Sequence, residues 1–131
     1  MSKARTGGRR EALAHLGKAQ EFLDAAEAAN TEGWTNAATS NAVTAGINAK
    51  DAICFLLSGQ SVAAENHREA VAELRRLGAS TREAANALDR LLGLKDRAQY
   101  DRRDVPKVDA NAALRRAHLL VDTATRLLGE P

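Results

Sequence analysis

Aromatic residues are nearly missing from this 131-residue chain, which holds one Trp, one Tyr and two Phe. Val and Ile are also few beside Ala and Leu. Strands favour β-branched and aromatic side chains, whereas Ala and Leu lose little side-chain entropy in a helix. No stretch alternates apolar and polar residues as a half-buried strand does. The composition therefore excludes a β-rich fold and predicts an all-α domain. One cysteine, Cys54, excludes an internal disulfide and a Cys-based zinc site. No apolar run approaches the length of a membrane span. The basic start, MSKARTGGRR, is not followed by the apolar segment of a signal peptide, so a cytoplasmic location is expected. Charge of one sign is lacking too. The net charge is only +2, so overall electrostatics make no strong case for nucleic acid, and only a local patch could serve.

What is present is helical periodicity in one domain-sized chain. Residues 1–8 read as a disordered polar tail, and 9–131 as the bundle. A first helix is expected over about 9–29, with Leu13, Leu16, Gln20, Leu23 and Ala26 on one stripe and Ala12 and Ala19 beside it. A second, over about 34–57, carries a narrow seam of Ala38, Ala42, Ala45, Ala49, Ala52 and Leu56. Val43, Ile47 and Cys54 lie nearly opposite, and a helix apolar on two sides belongs at the centre. Asn66 with Glu69 opens a short third helix. Ser80 with Glu83 forms a capping box for a fourth that extends to Tyr100. Pro106 breaks the chain, and Asp109 caps a fifth helix built on Leu114, Ala117, Val121, Ala124 and Leu128. The expected architecture is an up-and-down four-helix bundle with one additional short helix.

Two features stand out as candidate binding residues. Asn41, Thr44, Asn48 and Asp51 share one face of the central helix beside its Ala seam. Buried amides and carboxylates need partners, so this stripe is either a structural hydrogen-bond network or a ligand site. The segment around Lys95, Arg97, Tyr100 and Asp101 combines bases with the only tyrosine. It is either a phosphate-holding, base-stacking element or a solvated helix end. If the two features share a cleft, amides could read a polar ligand while the bases hold phosphate; alternatively Asp51 pairs with Lys95 or Arg97 as a structural tie. The three histidines, His15, His67 and His118, lie on different helices with no i, i+4 pair, so no metal is assigned. No cofactor-binding glycine motif or nucleophile elbow occurs.

The order of AxxFLDAAE, NAATSNAVTAGINAKDAICFLLSG, NHREAVAEL and LLGLKDRAQYD over about residues 10–128 resembles the small prokaryotic branch of the HEPN superfamily. The resemblance matches Ala42, Ala45, Ala49 and Ala52, then His67, then Arg97, Ala98, Tyr100 and Asp101. It implies a bacterial helical bundle acting as a homodimer. RNA or a nucleotide is the implied ligand, and a toxin–antitoxin or defence system with a nucleotidyltransferase-like partner is the implied setting. RNase members of the family carry Arg-x4–6-His near the start of a late long helix. Here that spacing occurs only at Arg9 or Arg10 with His15, on the first helix. The resemblance therefore implies a non-catalytic binding module. The alternatives are a metal-independent RNase toxin and a structural helical adaptor.

Overall fold

The structure is a computed structural model describing residues 3–63 and 66–129. Helix α1 (Arg9–Thr31) begins where the Glu11 carboxylate accepts the Gly8 N–H at 2.7 Å. It buries Ala12, Leu16, Ala19, Leu23, Ala26 and Ala29. The expected stripe is rotated by part of a turn, since Leu13 and Gln20 face water. The alanines lie inside instead because they let α1 lie close along the small residues of its neighbour. Gly33, at φ 81°, turns the chain into α2 (Thr35–Ser58), and Gly59, at φ 73°, ends it in the left-handed conformation typical of a helix C-cap.

Helix α2 is the central element, as its two-sided apolar pattern predicts. Every residue from Ala49 to Phe55 is buried, including two charged ones. It packs on α1 and on α6 (Lys107–Gly129), and also meets α3 (His67–Arg75), α4 (Arg82–Leu92) and α5 (Lys95–Tyr100). Leu88 and Leu91 of α4 and Leu120 of α6 close over it, each fully buried. The stripe on α6 holds, with Ala117, Val121, Ala124 and Leu128 buried and Leu114 partly so. The result is an all-α helical bundle in which no helix of the described residues is long and apolar enough to cross a membrane.

Four expectations are corrected. Part of the supposed disordered tail is the strand β1 (Ala4–Thr6), antiparallel to β2 (Gln60–Val62) with Arg5 opposite Ser61. Two three-residue strands are too short to show alternation, and their pairing depends on tertiary contacts. Met1 and Ser2 lie outside the described residues. The helix expected to reach Tyr100 is interrupted at Gly93, a poor helix former, where the Leu94 N–H reaches back only to Leu91. Asn66 caps α3 as expected, accepting from the Glu69 N–H at 2.9 Å. The Ser80 box is replaced, however: α4 follows a tight turn at Ala79–Thr81, and the buried Thr81 hydroxyl donates to the Leu74 carbonyl at 2.6 Å. Asp109 sits inside the first turn of α6 rather than capping it, and its carboxylate accepts from Arg97 at 2.7 Å.

Candidate functional site

Beneath the two-stranded ribbon lies a cluster of buried charge. Lys50 is 2% exposed, Asp51 and Glu73 6% each, and Ser61 is fully buried. The Lys50 ammonium lies 2.5 Å from Glu73 Oε1 and 3.1 Å from Asp51 Oδ1, and donates to the Val62 carbonyl at 2.8 Å. Asp51 Oδ1 also accepts from the Ser61 hydroxyl at 2.7 Å and meets the Arg5 guanidinium at 3.1 Å. Glu73 Oε2 accepts the Val62 N–H at 2.8 Å. Two cations thus face two carboxylates, and Asp51 Oδ1 and Glu73 Oε2 have hydrogen bonds besides, the condition under which buried charge is tolerable. The cluster ties α2, α3 and both strands together.

On its α1 side, His15 Nδ1 lies 3.0 Å from Asn48 Oδ1 and 3.9 Å from Asp51 Oδ2. Its ring stacks on Phe55 at 5.5 Å, and Arg5 sits 5.6 Å from the centre of the same phenyl ring. Since Asn48 Nδ2 donates to the Thr44 carbonyl, Asn48 Oδ1 is left as the acceptor, which favours a proton on His15 Nδ1. Cys54 is buried beside the charges. Burial first, and then the Glu73 carboxylate, push its thiol up from 9.0 to about 12.

On the other side of the cluster a pocket of about 480 Å³ opens among α2, α3, α4, α5 and the strands. Ile47, Leu88 and Leu92 help form an apolar wall, while Arg5, Lys50, Asp51, Asn66, His67, Lys95 and Asp96 supply polar groups. His67 is held from behind by Asp89, whose carboxylate lies 2.7 Å from Nε2. A concave site with an apolar body and a few convergent polar groups is the usual form of a small-molecule site.

The residues singled out in the sequence separate here. Asp51 and Lys95 do line one pocket. Asn48 lies on the His15 side. Asn41 donates to its own helix at Ala37, and Thr44 to Ser40, so the upper stripe is satisfied locally. Asp51 is not tied to Lys95 or Arg97; it is held by Lys50, Ser61 and Arg5, while Arg97 pairs with Asp109. Tyr100 is 78% exposed and does not line the pocket. Asp101 accepts the Arg103 N–H at 3.0 Å, which, with the Arg103 side chain, holds its carboxyl below the usual range. Sequence reasoning missed Lys50, Ser61, Glu73 and Arg5, and took His15 only as half of a misplaced Arg–His spacing. The available signal was a lysine and an acid in the most apolar stretch of the chain, beside Ala49 and Ile53. No family model matches the chain, and no curated protein matches it.

Proposed function

We propose that the chain is a HEPN-like binding module that takes a nucleotide, free or as the end of an RNA, in the pocket between α2, α3, α4 and α5, and does not cut it. The observation that carries this reading is the pocket itself: its volume suits a nucleoside-sized body, its wall is apolar, and Lys95, Asn66 and Arg5 stand around it. A base fits against Ile47 and Leu92, with the phosphate held by Lys95 and Arg5. Support for a non-cutting module comes from where the spacing falls: Arg9 or Arg10 with His15 lies on α1 and not on a late helix, and the His15 ring is held between Asn48 and Phe55. The homodimer and a place in a toxin–antitoxin or defence system belong to the same reading. Titration calorimetry with AMP and with a short single-stranded oligoribonucleotide tests it. Lys95→Ala should weaken binding about tenfold, the loss of one charged hydrogen bond. Ala63→Trp, at an exposed wall position, should block it. Absence of binding to either probe, or binding indifferent to Ala63→Trp, overturns the reading.

A further inference from the structure

We propose that Arg5 is the anion receptor of this pocket, so that strand β1 is part of the binding site and its docking is coupled to a phosphate monoester. The inference rests on the nucleotide-class reading above and adds to it a residue, a charge and a moving part.

Arg5 is fixed on three sides. Its Nε–H donates to the Ser61 carbonyl at 3.4 Å, one terminal nitrogen meets Asp51 at 3.1 Å, and its Cζ lies over the Phe55 ring at 5.6 Å from the centre. A guanidinium has five N–H donors. Those contacts use two, and the side chain is still 42% exposed and lines the pocket. An arginine whose rotamers are already set gives up little entropy when it takes an oxyanion. Lys95 stands on the same pocket as a second cation. Asp51, the carboxylate that positions Arg5, also faces Lys50, which offsets part of its repulsion of a ligand.

The strand that carries Arg5 is weakly held. All three residues of β1 are exposed, and a two-stranded ribbon is marginal alone. Beyond the ladder, its ends are joined to β2 through the Gly7 N–H on the Gly59 carbonyl and the Ala63 N–H on the Lys3 carbonyl. A ligand that binds Arg5 only in the docked state must stabilise that state.

The experiment compares AMP, adenosine and inorganic phosphate on the full chain. Arg5→Ala should weaken AMP about tenfold or more, as expected for a charge-assisted bond, and leave adenosine unchanged. Arg5→Lys should lie between. Inorganic phosphate should compete with AMP in the wild type but not with adenosine. Amide exchange at Gly7 and Ala63 should slow when AMP is added and not when adenosine is. Wild-type binding of AMP that survives Arg5→Ala overturns this inference and leaves the pocket reading standing. Equal loss of AMP and adenosine in Arg5→Lys, with an unchanged melting temperature, also overturns it. No binding of AMP or adenosine by the wild type removes the pocket reading and this inference together.

Discussion

Lys50 is the residue on which the buried cluster turns, because its ammonium serves both carboxylates. Truncating it leaves Asp51 and Glu73 in place, but not equally stranded. Asp51 keeps Ser61 and Arg5, whereas Glu73 Oε1 loses the one cation paired with it among the described residues. Lys50→Met should therefore destabilise by about 3–5 kcal/mol in urea unfolding, the cost of breaking a buried pair from one side. Adding Glu73→Gln should restore part of it, and a double mutant no more stable than Lys50→Met would contradict this division. Cys54 gives a second test. Its native thiol ionises only near 12, against 9.0 ordinarily, so the unfolded chain loses the proton first. The resulting stability is intact below about pH 9 and falls as pH rises toward 12. At pH 8 the folded thiol should ignore a disulfide reagent that reacts at once in denaturant. Asp51 was legible in the sequence because an acid beside an alanine seam needs a partner. Its partners were not, since Ser61 and Arg5 reach it from two other segments and no spacing along the chain encodes that meeting.

The helices were legible wherever small and large apolar residues recur every three or four positions, as on α2 and α6. Their ends were legible where a glycine or a cap sits, as at Gly59 and Asn66. What periodicity could not show was the ribbon, the interruption at Gly93, and which of two adjacent stripes α1 turns inward. Each is decided by a neighbouring element. The glycines of α1 and α2 separate local propensity from packing. A Cβ on Gly46 would stand 2.5 Å from Leu91 Cδ2 and 3.3 Å from Leu120 Cδ1. Both leucines are fully buried and have nowhere to move. Gly46→Ala should therefore cost about 1–3 kcal/mol, overpacking outweighing the gain in helix propensity. At Gly17, exposed in mid-α1, a Cβ meets nothing within 4 Å. Gly17→Ala should stabilise by about 0.5–1 kcal/mol. Thermal melts of the two variants should move in opposite directions; a shared direction would show that propensity, or packing, rules both sites.

For the whole molecule, the homodimer was expected from the resemblance, and the two apolar sides of α2 are covered within one chain by α1, α6 and α4. A dimer must use other surface. Trp34 and Val108 are both exposed, and the turns that carry them are joined by Asn36 with Asp104 and Asn30 with Asn111. Light scattering at micromolar concentration should give twice the chain mass for the wild type and a shift toward the monomer for Trp34→Ser, if this end is the contact. Cleavage of RNA is a separate question, and here the position of His15 decides the expectation. Its ring is wedged against Phe55 and bonded to Asn48, 3.9 Å from a carboxylate that already holds two cations. The arginines at family spacing, Arg9 and Arg10, stand on the first helix and not on a late one. Arg5 stands near the same Phe55 ring as His15, but it lines the pocket and His15 does not. General acid–base cleavage needs a histidine and a charge-stabilising group around one phosphate. Pure protein in chelator should therefore leave single-stranded RNA intact over hours, and His15→Ala should change stability rather than any cleavage rate. RNA cut by the wild type and spared by a folded His15→Ala would place catalysis at the Arg5–His15 face and overturn the non-cutting reading.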